Sequence, residues 1–123
     1  MENKSNIAQR LVDLAYIGGG GTLAVGRGMP TRGYLVGFGN LYTGGFPEHR
    51  GIQAIQYKID LSGSNLFGSW RKKGVDDNLD ILYIDEVKCF NSLDKALMMA
   101  KLGKELAIWD ISNEKEIEVN YEK

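Results

Sequence analysis

Apolar residues near the start of the chain recur at a helical interval. Ile7, Leu11, Leu14 and Ala15 stand at i, i+4, i+7 and i+8, the spacing that lines one face of an α-helix. Ser5 as a cap and Gly18 as a stop bound this helix at roughly 5 to 16. From Thr22 the period changes to two. Thr22 to Val25 and Gly33 to Phe38 alternate as strands and predict a β-hairpin over Gly26-Arg27-Gly28-Met29-Pro30-Thr31-Arg32, a loop too long for a two-residue turn. The hairpin would carry a basic tip.

Residues 40 to 51 are rich in turn formers, with Gly44-Gly45, Pro47 and the sole histidine, His49, and read as a surface loop. The next stretch fits two templates. Ile52, Ile55 and Ile59 share a helical stripe, whereas Ile55, Tyr57, Ile59 and Leu61 alternate; the helix is preferred. Leu66 to Arg71 and Leu79 to Val87 predict two strands around a polar loop. Ser92 stands as N-cap before Leu93, Ala96, Leu97 and Ala100, with Gly103 as C-cap, which predicts another helix. Leu106 to Ile111 and Ile117 to Tyr121 close the chain as a hairpin over Ser112-Asn113-Glu114-Lys115. About six strands joined largely by hairpins, with two or three helices, imply an α+β fold around a mainly antiparallel sheet.

The 123 residues suit one domain with one core, with no repeat or linker to divide residues 1–123. Fifteen basic residues against sixteen acidic give a net charge of −1, so no global field draws the chain to a DNA or RNA polymer or to an anionic membrane. Any anion site must be local. Cys89 is the lone cysteine, which excludes an internal disulfide and fits a reducing compartment. The N-terminus leads into an amphipathic segment rather than an apolar leader, and the expected location is the cytoplasm.

Residues 16 to 39 hold nine of the sixteen glycines. Known phosphate loops fit them poorly. A Walker A loop needs Gly-Lys-Ser/Thr, but Gly21 is followed directly by Thr22. Gly19-x-Gly21-x-x-Ala24 matches a dinucleotide fingerprint formally, yet it follows a helix and opens a strand, the reverse of what that motif requires. A more general reading remains, in which the N–H groups around Gly20, Gly21 and Thr22 form an anion-binding concavity while Arg27 and Arg32 supply bidentate contacts to phosphate. The plain alternative is a glycine-padded helix end and a hairpin with solvated arginines.

One histidine and one cysteine cannot build a zinc site within one chain, and Cys89 and Ser69 have no histidine partner at a suggestive spacing. No metal and no cofactor is implied. The strongest enzymatic pattern is Asp85-Glu86-Val87-Lys88, whose Glu-x-Lys pair metal-dependent nucleases place beside an upstream aspartate. Tyr34, Phe38, Phe67, Trp70, Tyr83, Phe90 and Trp109 lie in or beside predicted strands. Most belong in the core, which leaves one or two to stack a base, with Asn91 nearby to read its edge.

The succession "GGGT", "GMPTRGYLVGFG", "GSW", "LYID", an alanine-rich helix, "LAIWDI" and "EIEV" resembles the first type of phage anti-Thoeris sponges over roughly residues 5 to 120. The resemblance implies a non-enzymatic αβ protein, working in the host cell cytoplasm if phage-encoded. Such a sponge sequesters the cyclic ADP-ribose signals of bacterial TIR immune proteins without cleaving them, and some members also hold cyclic oligonucleotides. It further implies a homodimer or higher homo-oligomer with pockets between subunits. For such a ligand the chemistry of the side chains assigns Arg27 and Arg32 to the pyrophosphate, Tyr83 or Phe90 to stacking adenine, and Asn91 to its edge or a ribose, with Tyr34 also among the ligand-binding residues. An inhibitor that docks on a host protein and a nuclease-like metal enzyme are the alternatives.

Overall fold

The structure, a computed structural model, describes residues 4–76 and 78–121. A 3-10 turn (Lys4–Asn6) leads into α1 (Ile7–Gly18), β1 (Gly20–Ala24), β2 (Tyr34–Gly44) and α2 (His49–Leu61). Then come β3 (Leu66–Lys72), β4 (Ile81–Phe90), α3 (Leu93–Leu102), β5 (Ala107–Asp110) and β6 (Lys115–Glu118). The strands form one sheet in the order β1-β3-β4-β2-β5-β6, with every neighbouring pair antiparallel. This is the α+β class expected from the pattern, and 52 to 61 is helical.

Strand β4 sits between β3 and β2 and pairs with both. Successive side chains of a strand point to opposite faces, so Leu82, Ile84, Glu86, Lys88 and Phe90 share one side, and Ile81, Tyr83, Asp85, Val87 and Cys89 share the other. The register carries this division across the sheet: Phe67 is opposite Glu86 and Leu23 is opposite Phe67. Against that side pack Ile7, Ala8, Leu11, Val12 and Ala15 of α1 with Ile55 and Ile59 of α2, enclosing Leu23, Phe67, Leu82 and Ile84. Val36 and Tyr34, opposite Lys88 and Phe90, lie on the same side under Ala96 and Ala100 of α3. All three helices therefore cover one face. We call it the helix face and the other the open face.

The helix ends are tied down by tertiary contacts. Asn6, not Ser5, is the N-cap of α1 and makes no side-chain cap. Instead the Ala8 N–H donates to Gln56 Oε1 at 2.9 Å, while Gln56 Nε2 donates to the Lys4 carbonyl at 2.6 Å. A glutamine of α2 thus satisfies the first turn of α1. At α3 the cap is the one read from sequence, with Ser92 Oγ accepting from the Lys95 N–H at 3.3 Å.

Two expectations are corrected. β1 and β2 do not form a hairpin, because β3 and β4 lie between them. Residues 25–33 cross the ends of those strands instead, touching them where the Val25 N–H donates to the Asn65 carbonyl at 2.8 Å and the Cys89 thiol to the Arg32 carbonyl at 3.6 Å. Three strand spacings amount to about 14 Å, well within the reach of that segment. The stretch 40 to 51 is not a loop either. β2 continues to Gly44, with Tyr42 opposite Ile84, through two register shifts at which one residue bulges out. α2 then begins at His49 itself.

The glycine run is explained residue by residue. Gly18 is the last residue of α1, and Gly19, at φ +87°, is its left-handed C-cap. Gly20, at φ +143°, lies so close to β3 that a Cβ would stand 2.2 Å from the Ser69 carbonyl oxygen. We therefore expect Gly20→Ala to destabilise the fold by more than about 2 kcal/mol through overpacking and strain. Gly18→Ala meets nothing within 4 Å and should be neutral or stabilising by up to about 1 kcal/mol. Urea midpoints of the two variants check this, and equal midpoints would remove the close approach as the reason for Gly20.

Candidate functional site

The open face has none of the three helices packed on it. At one end, Leu35, Leu66, Val87 and Ala24 form a small buried cluster with Cys89 and Ile111 beside it, next to the crossing segment 25–33. Toward the other end the face is exposed. Trp70 and Tyr83, paired across β3 and β4, stack with ring centroids 5.5 Å apart at 27°, and Trp70 remains 50% exposed. Gly20 lies opposite Trp70, and Thr22 opposite Gly68, on the adjoining strand. Tyr83 covers one face of the Trp70 ring, while Gly20 on the strand to its other side brings no side chain against it, which leaves the ring's outer face for a flat ligand.

The middle of the same face holds a polar group of different character. Asn40 Nδ2 donates to Asp85 Oδ1 at 3.0 Å. A Cβ on Gly37 would lie 2.6 Å from Glu105 Oε1 and 3.6 Å from Asp85 Oδ2, so the two carboxyl groups share the space above that glycine. Burial raises the pKa of Asp85, with the Asn40 hydrogen bond opposing it. Glu105 is raised by burial and then by the neighbouring charge of Asp85.

The residues singled out from sequence fall into two groups. Gly20, Thr22 and Tyr83 meet on the open face at the Trp70 end, while Gly21 turns toward α1, where a Cβ would sit 3.2 Å from Leu14 Cδ1. Arg27, Arg32, Tyr34, Phe90 and Asn91 lie at the opposite end of the sheet. Tyr83 and Phe90 are seven positions apart on β4, about 23 Å at the rise of a strand. Tyr34 and Phe90 pack into the α3 cluster on the helix face, and Lys88 Nζ stands 6.0 Å from the Phe90 ring centre. They serve the core. Arg27, Arg32 and Asn91 are exposed. Within one chain these residues do not converge on a single pocket.

Trp70 is one of seven aromatics that the sequence places in or beside predicted strands without distinction among them, and the pairing of Asp85 with Glu105 has no counterpart in the sequence pattern. Trp70 had a signal, since it alternates with Gly68 along the strand away from the buried Phe67. Glu105 had none, because it reaches Asp85 only after α3 returns the chain to the sheet. Arg71, by contrast, is fully engaged on the helix face. Its Nε is 2.6 Å from Asp80 Oδ2 and its Nη1 donates to the Tyr16 carbonyl at 3.0 Å. Its guanidinium lies over the Tyr16 and Phe46 rings at 5.9 and 5.7 Å.

The Asp85 to Lys88 motif is split by the pleat. Asp85 faces the open side, whereas Glu86 turns to the helix face and accepts hydrogen bonds from the Ser62 and Ser64 hydroxyls. Among the described residues no group of three or more His, Cys, Asp or Glu side chains could hold a metal ion, and no helix is long and apolar enough to cross a membrane. No family model matches the chain, nor does any curated protein or solved structure.

The carboxyl pair gives a pH dependence whose sign follows from the raised values. In the fold both acids hold protons more tightly than in the unfolded chain, so their contribution to stability is complete below the ordinary values of 3.8 and 4.5. It is lost as pH rises through the elevated folded values. Asp85→Asn keeps the shape and an acceptor for Asn40 while removing the charge. Its unfolding free energy should exceed that of the parent at pH 7, and the advantage should shrink as pH falls toward 4. A variant less stable than the parent at pH 7 would refute this reading.

Proposed function

We propose that the protein binds and sequesters a small cyclic nucleotide of the ADP-ribose class, without cleaving it, by laying the base against the open face of the sheet. The observation that carries this reading is the Trp70–Tyr83 stack, exposed and bordered by Gly20 and Thr22. The outer face of the Trp70 ring suits an adenine, and stacking on it is worth about 1–3 kcal/mol per base. The likeness of the glycine-led motifs to the phage anti-Thoeris sponges supports the choice of ligand. The phosphates would be met by Arg27 and Arg32. These stand too far from Trp70 in the same chain, so they would come from a neighbouring copy, and the working form would be a homo-oligomer.

The test is retention. The protein is incubated with cyclic ADP-ribose, freed of unbound ligand and heated, and the released material is analysed by mass. Intact ligand is the expected result; a converted product would make the protein an enzyme, and no retention would overturn the proposal. Trp70→Ala should weaken retention about tenfold or more and Arg27→Ala should abolish it. Arg27→Ala should not shift the thermal midpoint by more than about 2 °C, since its side chain is exposed. Trp70→Ala also loses its stack on Tyr83 and should lower the midpoint by several degrees, so its retention is read well below that midpoint. Unchanged retention by Trp70→Ala would remove the open face as the site.

A further inference from the structure

We propose that the outward face of α3 is a self-docking surface, on which a second copy of this chain lays its own α3 antiparallel about a two-fold axis.

Helix α3 is amphipathic in an unusual sense. The residues it buries are the small Ala96 and Ala100, which let it lie close to Val36 and Ile108. Met98 and Leu102 are turned the other way, while Leu97 lies at the margin and packs partly against the same cluster. Leu93 is 37% exposed, Met98 55% and Leu102 73%, and Leu106 just beyond the helix is 71% exposed. Asp94, Leu97, Met98, Lys101 and Leu102 line an open groove of about 500 Å³ along this face. They follow one another at intervals of three, one, three and one, the stripe that one helix presents to another. Each long apolar side chain left in water forfeits roughly 1.5–3 kcal/mol of available burial, so the stripe favours a cover.

What fits it is the stripe itself. A two-fold axis requires each patch to complement its own image. Leu97 and Met98 lie at the middle of the groove, with Asp94 and Lys101 at equal sequence distance on either side. When two copies of α3 run antiparallel about that midpoint, Asp94 of each chain faces Lys101 of the other. Leu97 and Met98 then meet their counterparts at the axis, with Leu102 flanking them. Charge and apolar pattern are satisfied together by one arrangement. The parallel alternative would oppose like charges. A cover with a different charge order would leave Asp94 or Lys101 facing a like or neutral group. One three-turn helix offers about 15 Å of contact, at the small end of specific interfaces, so the dissociation constant is expected in the micromolar range.

Sedimentation of the intact chain over about 1 μM to 1 mM should show a monomer–dimer equilibrium. Asp94→Lys opposes two positive groups and Lys101→Asp two negative ones, so each variant alone should dimerise at least tenfold more weakly. Mixing the two in equal amounts should restore the dimer, because each junction again joins opposite charges. The mixture also controls for any loss of helix stability in a single variant. Three outcomes would each overturn the proposal: a parent chain that stays monomeric throughout, variants that associate as tightly as the parent, or a mixture that stays monomeric.

Discussion

The unbulged alternation of β4 is the constraint on which the rest of the molecule depends. Both register shifts of its β2 partner place the extra residue on β2, and its pairing with β3 is continuous. Leu82 and Ile84 are therefore committed to the helix face and Tyr83 and Asp85 to the open face, since a slip by one residue would invert every side chain at once. The core under α1 and α2, the aromatic stack with Trp70 and the carboxyl pair above Gly37 all inherit their positions from that one strand. The bulges on β2 let the neighbouring strand follow without disturbing the division.

The parts of the fold decided by local chemistry were legible in the sequence. The stripe of α1, the Ser92 cap of α3, the alternation of β3 and the closing turn all depend on residues a few positions apart. In that turn the Asn113 N–H and side chain both bond Asp110. The pairing of β1 was not legible. Thr22 to Val25 is a strand as expected, but which strand it joins is decided by where Leu23 finds an apolar partner, and that partner is Phe67, far along the chain. Sequential strands usually pair, which is why a hairpin was the natural expectation. Residues 40–44 were obscured for a related reason. Gly44 and Gly45 read as turn formers, whereas Gly44 is still paired with Leu82 as the last residue of β2.

The candidate site was legible by residue type and not by place. Glycines, arginines and aromatics were all recognised as suited to a nucleotide, yet the same residue types also cap helices, cross strands and fill cores. Gly19 and Gly20 are fully accounted for by a helix end and a close strand approach, and Phe90 by the packing of α3. Burial separates the two uses and is a property of the whole fold. Trp70 and Phe67 differ by three positions, which places them on opposite faces of the same strand, and only the helices decide which face is wet.

Pairing through α3 has a geometric consequence for the open face. α3 lies on the helix face, so two chains joined along it bring their helices together between two sheets and turn both open faces outward. The Trp70–Tyr83 surfaces are then accessible in the dimer, one on each side. The exposed arginines of segment 25–33 remain at the far end of each sheet, so the dimer alone does not bring them over a partner's aromatic stack. A ligand gripped by both needs a second kind of contact, between dimers. An assembly with two distinct interfaces, one fixed by the helical stripe and one closed by the ligand, would gain stability from ligand binding, because nucleotide bridging two dimers favours the bridged form by mass action.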